Sequence, residues 1–198
     1  MTQTKSRTRK MTSIAMLSAV AFILQYIEFP LPMLMPPFIK FDLSDLPALL
    51  GAFAFGPVSG VIIELIKNLL HCLVSQSATV GELSNFILGA VFTLSAGFIY
   101  KFRKNKKTAL LGGIVASLLM GLASIPSNYF VVYPFYYNFM PKETVLAAYQ
   151  AIVPSMKSIM QCLVVFNLPF TVVKGLLNVI ICMLIYKPLS PILKGSER

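Results

Sequence analysis

Six apolar runs follow one another along this chain, and two of them, 58–75 and 169–186, carry a lysine in mid-run, Lys67 and Lys174. A charged side chain at membrane depth costs about 2.5–3.5 kcal/mol on insertion scales. Leucine would insert far better, so an ammonium there needs a buried counter-charge, an ion path or a ligand. No stretch reads as a soluble domain. Such a chain is expected to be an integral membrane protein that handles a polar solute.

Composition and charge placement agree. Hydrophobic residues make up 57% and charged residues 12% of the 198 positions, where a water-soluble domain carries roughly twice that charge. Mean hydropathy is +0.77. The whole length, 1–198, is read as one membrane domain: a basic amino-terminal segment 1–10, a six-helix bundle 11–187 and a tail 188–198. The net charge of +10 does not point to nucleic acid, because no base-stacking module accompanies it. Most basic residues sit in three segments outside the apolar runs: Lys5, Arg7, Arg9 and Lys10; Lys101, Arg103, Lys104, Lys106 and Lys107; then Lys187, Lys194 and Arg198. The positive-inside rule puts all three in the cytoplasm. Cys72, Cys162 and Cys182 have no ligand-like spacing, so they read as apolar fillers rather than metal ligands. The first run is long enough to span and lacks a small-residue cleavage site after it, which argues against a cleaved signal peptide.

The runs predict helices over 11–29, 46–55, 58–75, 83–100, 108–137 and 169–186. The second is shorter than the ~20 residues a full span requires. Between the first two lies FPLPMLMPPFIKFDLSD, with prolines at 30, 32, 36 and 37. Proline lacks a donor and clashes with the preceding turn, so this segment is an external loop. Its Met33, Leu34, Met35 and Phe38 need something apolar to cover, which makes it a lid. Pro126 predicts a kink, and Pro134 lies near the end of the fifth helix. A second external loop, 138–158, holds a short helix over 143–152, and Pro169 suits the first turn of the last helix. Tyr129, Tyr133, Phe135, Tyr136, Tyr137 and Phe139 form an aromatic belt at the outer interface. Six crossings return both termini to the basic side.

Within GVIIELIKNLLHCLV, residues Glu64, Lys67, Asn68 and His71 recur at three- and four-residue spacing and share one helix face. Two roles fit that stripe: a structural Glu64–Lys67 pair, or ligand contact through Lys67 and Asn68 with Glu64 tuning them. Lys174 has no acid on its own helix, so its partner is Asp42, Asp45, Glu64 or a ligand acceptor. Asn85 and Asn128 are buried amides that either orient a planar ligand or join helices. Of Asp42 and Asp45, one suits a helix N-cap. Ala15-x-x-x-Ala19 is a small-residue face that permits close helix packing. Catalytic motifs are missing, including G-x-S-x-G, H-E-x-x-H and any Walker loop, so the chain is not read as an enzyme and has no ATPase site of its own.

The proline loop leading into FDLSDLPALL, FGPVSG followed by ELIKNLL, GELSNFILG, SNYF and LPFTVVKG together resemble the substrate-binding (S) components of energy-coupling factor (ECF) vitamin transporters, of the riboflavin-binding RibU type. The resemblance spans about 11–186. It implies an all-α, six-helix, multi-pass protein of the bacterial plasma membrane, with cytoplasmic termini and a pocket in its outer half. The first external loop would close over the vitamin. Asn128 and Lys174 would hydrogen-bond the flavin, Asp42, Leu43 and Asp45 would border it, and Asn85 would line the pocket. Ala15 and Ala19 would dock on the transmembrane T component, beside two ATP-binding cassette ATPases. Riboflavin would be cargo, no cofactor is expected, and ATP would be used only by the partners. Thr171 departs from the pattern, which has asparagine there; threonine is shorter and carries one donor. Competing readings are an S component for another vitamin and a non-transport membrane scaffold whose buried charges only hold helices together.

Overall fold

The computed structural model describes residues 3–75 and 77–194. Arg198 lies outside the described residues, as do the side chains of Lys5 and Lys194. The architecture is all-α. It runs α1 (Gln3–Tyr26), α2 (Asp45–Phe55), α3 (Pro57–His71), α4 (Val80–Phe102), α5 (Lys106–Ser127), α6 (Tyr133–Tyr136), α7 (Lys142–Gln150), α8 (Ile159–Cys162) and α9 (Leu168–Lys194). Among the described residues, four continuous stretches are long and apolar enough to cross a membrane: Pro57–Val74, Val80–Phe102, Lys106–Tyr136 and Ile159–Leu189.

Lys106–Tyr136 agrees with the expected 108–137, with Pro134 near its end, whereas the last stretch is longer than expected and Pro169 lies inside it rather than in its first turn. In each case a π-helical segment, Asn128–Val132 or Leu163–Asn167, sits just before the proline and joins two α-helical pieces into one rod. A proline ring clashes with the carbonyl four residues back, and a wider π-turn relieves that crowding without ending the helix. Lys174 is therefore several turns from the start of its rod at Ile159, deeper than a helix starting at Pro169 would put it.

α1 begins earlier than 11 and stops at Tyr26. Phe29–Pro30 and Lys40–Phe41 then form a two-stranded antiparallel ribbon at the neck of the proline loop. A Lys40–Glu28 ion pair at 2.6 Å and the Phe29–Phe41 ring contact fasten it.

α2 occupies the middle of the bundle, packed by α1, α3, α4 and α9, and every residue from Asp45 to Phe53 is buried. A helix apolar all round is a core helix, so α2 meets protein rather than lipid on every side. Gly56, at φ 99°, turns the chain from α2 into α3, a conformation glycine adopts without steric cost. On α3, Gly60 lets the backbone approach α2 and α4 closely: a Cβ there would lie 2.9 Å from Ala52 Cβ and 2.8 Å from Thr93 Cβ. One apolar cluster joins α2, α4, α5 and α9 through Leu49, Phe53, Phe92, Tyr100 and Val179. A second joins the proline loop to α7 and the two π-segments through Met35, Val132, Tyr149 and Leu163.

Candidate functional site

The site starts where the proline loop enters α2. Ser44 donates to Asp42 Oδ1 through its backbone N–H (2.8 Å) and through its hydroxyl, a local turn that fixes both aspartates. Neither acts as a side-chain N-cap: Ser44 holds that position, and Asp45 opens the first turn. Lys67, reaching in from α3, donates to Asp45 Oδ1 at 2.6 Å and Ser44 Oγ at 2.7 Å, and pairs with Glu64 Oε2 at 2.8 Å. From α9, Lys174 pairs with Asp42 Oδ2 at 2.9 Å and Asp45 Oδ2 at 3.3 Å. Three carboxylates and two ammonium groups thus form one buried cluster across four elements. Burial alone would raise the Asp42 carboxyl, but Lys174 and Lys67 outweigh it and hold the group at about 2.

Beside this cluster lies a cavity of about 680 Å³, within the range of small-molecule sites. Asp42, Asn85, Asn128, Thr171 and Lys174 all line it. Asn85 Nδ2 lies 3.5 Å from Asp42 Oδ2, while its buried Oδ1 has no hydrogen-bond partner among the described residues. Asn128 Oδ1 accepts from Ser84 at 3.3 Å, which leaves its Nδ2 as a donor. Lys174 therefore holds its internal counter-ions and still reaches the cavity.

Leu43, Asp45, Lys67 and Asn68 do not line the cavity. Lys67 is fully buried, and its three donors are taken up by Asp45, Glu64 and Ser44. Asn68 donates to the Glu64 carbonyl at 2.8 Å and accepts from Gln25 at 3.0 Å, so it joins α3 to α1. The lid also differs from expectation. Met33 and Leu34 point outward and Met35 is locked into the second apolar cluster, so of those four only Phe38 faces the cavity. Its apolar walls come instead from residues such as Ile39, Val132, Tyr136 and Phe170.

Several lining residues were not singled out from the sequence. Gln25, in the first apolar run, and Glu82, in GELSN, are buried polar groups whose placement amid apolar or turn residues was the available signal. Glu82 Oε1 meets His71 Nδ1 at 2.7 Å. Tyr149 on α7 donates to Asn167 Oδ1 at 2.6 Å and also contacts the Tyr133 hydroxyl, tying the 138–158 segment to α6 and to the second π-segment. Burial raises the Tyr149 phenol well above its usual value, so it stays a neutral donor. Ala15 and Ala19 lie exposed on α1, opposite Leu17 and Ala21, which are buried in the core.

The comparisons with known proteins bear on the same assembly. The family profile described as the ECF transporter substrate-specific component matches residues 9–186. The riboflavin transporter RibU of Staphylococcus aureus (strain TCH60) is 38% identical over 94% of this chain and 93% of its own length. The riboflavin transporter FmnP of Bacillus subtilis (strain 168) is 31% identical over 93% and 94%. A solved S component of a bacterial ECF transporter superimposes with a TM-score of 0.73 at 37% identity, over 95% of this chain and 99% of that one. With a matching profile over most of its length and an all-α fold enclosing a polar-floored cavity, this multi-pass membrane protein belongs to the substrate-specific components of ECF transporters.

Proposed function

We propose that this chain is the riboflavin-binding S component of an ECF transporter, capturing the vitamin tightly at the outer face of a bacterial plasma membrane. The observation that carries this reading is the cavity itself. A flavin is a flat, largely apolar tricycle with a polar edge and a hydroxylated tail, and the cavity pairs Phe38, Tyr136 and Phe170 with donors from Lys174 and Asn128. The proline loop, pinned by its ribbon and by Met35, is the roof that closes over the ligand. Thr171 lies on the cavity wall, and its hydroxyl contacts the flavin directly or through water. Six crossings, counting α1 and the half-length α2, put both basic termini in the cytoplasm. Uptake then requires partners: a transmembrane T component and two ATP-binding cassette ATPases, with the exposed Ala15/Ala19 face of α1 as the docking surface.

The test is flavin fluorescence quenching with the purified chain in detergent, alongside a panel of other vitamins as competitors. Saturable quenching displaced only by flavins is expected. A colourless preparation with no quenching at micromolar riboflavin refutes the reading, and displacement by an unrelated vitamin reassigns the cargo.

A further inference from the structure

We propose that the cavity carries a second polar subsite, built by Gln25 of α1 and His71 of α3 and positioned by Glu82 of α4, which receives the hydroxylated tail of the captured flavin. It rests on the riboflavin reading and deepens it.

Two chains of hydrogen bonds fix the chemistry of this subsite. In the first, Asn68 Nδ2 donates to the Glu64 carbonyl at 2.8 Å, so Asn68 Oδ1 accepts from Gln25 Nε2 at 3.0 Å. Gln25 Oε1 is left as a buried acceptor with no partner among the described residues, on a residue only 2% exposed that lines the cavity. In the second, the Glu82 carboxylate accepts from Ser75 Oγ at 2.9 Å and Ser77 Oγ at 3.0 Å through one oxygen, and faces His71 Nδ1 at 2.7 Å through the other. An acceptor-only carboxylate assigns a proton to Nδ1, which leaves Nε2 for a ligand. His71 lines the cavity, and its Nε2 makes no hydrogen bond among the described residues.

Gln25 Oε1 is an acceptor, and a hydroxyl can both donate to it and pair with His71 Nε2, so the matching ligand group is a neutral polyol. An anion does not match. Glu28 and Glu82 line the same cavity, and Lys40 is bound to Glu28 at 2.6 Å. Glu82 and Asn85 are three residues apart on α4, about 5–6 Å. The subsite therefore adjoins the donor side of Lys174 and Asn128, which suits the carbonyl edge of the ring. A tail hydroxyl satisfies groups that otherwise remain desolvated and unpaired.

The experiment compares riboflavin, lumiflavin (the same ring with a methyl in place of the tail) and riboflavin 5′-phosphate, by quenching with the full-length protein. Wild type is expected to prefer riboflavin to lumiflavin by about tenfold or more, and to the phosphate as well. Gln25→Leu and His71→Phe should each weaken riboflavin by about three- to tenfold and leave lumiflavin within about twofold. Retained lumiflavin binding also shows that each variant is folded. Glu82→Gln acts through the imidazole and should narrow the riboflavin-to-lumiflavin ratio in the same direction. An equal loss for both flavins would make the cluster purely structural and overturn the proposal, as would a wild type that binds lumiflavin equally well or the phosphate more tightly. If wild type binds no flavin, the riboflavin reading fails, and this proposal with it.

Discussion

Replacing Lys67 with methionine separates the two roles its position allowed. The ammonium touches Asp45 at 2.6 Å, Glu64 at 2.8 Å and Ser44 Oγ at 2.7 Å, with neither the lysine nor the two acids exposed. Removing it leaves carboxylates buried with too few counter-charges, and breaking a buried pair this way costs about 3–5 kcal/mol. In a chain of this size each kcal/mol moves the melting midpoint by about 2–4 °C, so a fall on the order of 10 °C is expected. In Glu64→Gln/Lys67→Met a carboxylate leaves with the ammonium, while Asp45 keeps Lys174 at 3.3 Å. Most of the lost stability should return, a coupling that marks the pair as interacting. Thermal unfolding in detergent, followed by thiol labelling of the buried Cys162 and Cys182, gives the midpoints, and flavin quenching gives affinity. Riboflavin affinity of the double variant should stay near wild type, because Lys67 does not line the cavity. A Lys67→Met protein with an unchanged midpoint and tenfold weaker flavin binding would refute this reasoning and return Lys67 to the ligand.

Lys174→Ala should both lower the melting midpoint, because Asp42 loses its counter-ion, and weaken riboflavin by about 10- to 100-fold, as loss of a hydrogen bond from a charged donor implies; an unchanged affinity in the quenching assay would count against its ligand role. The Asp42 carboxyl is held below its ordinary 3.8, at about 2, so its contribution is complete above pH ~3.8 and is lost as pH falls through ~2. Melting midpoints measured from pH 5 downward should fall in that window, and Asp42→Asn should flatten the drop. Gly60→Ala would drive a Cβ to 2.8 Å from Thr93 Cβ and 3.0 Å from the Ala48 carbonyl, an overpacking that costs about 1–3 kcal/mol and is read as a lower melting midpoint. Ala15→Trp and Ala19→Trp fall on the exposed face of α1 and should leave flavin binding intact while abolishing ATP-dependent uptake in vesicles reconstituted with the T component and ATPases; normal uptake would remove that face from the docking surface.

Much of the arrangement was legible in the order of residues, for physical reasons. Apolar runs of spanning length admit little but helices in a membrane, and a loop with prolines at 30, 32, 36 and 37 cannot be one. Lys174 and Asn128 were identifiable because a polar group at that depth needs a partner. The start of the last long helix was misread at Pro169, since a proline interrupts a helix unless a π-turn relieves its clash, and one-dimensional spacing does not reveal the relief. Gln25 and Glu82 were missed because a single amide in an apolar run, or a glutamate beside a turn, is ambiguous until its neighbours are known.

The linear chain settles that this protein lives in a bilayer and that two ammonium groups must be answered there, because the cost of desolvating them follows from their position within apolar runs. It does not say who answers. Asp42 and Asp45 are 132 and 129 residues from Lys174 in sequence, and only the packing of α2 between α3 and α9 brings them together. That same packing puts Lys67 behind the wall and Lys174 on it. Two lysines equivalent in their sequence setting take different roles because charge pairing is set by distance in three dimensions.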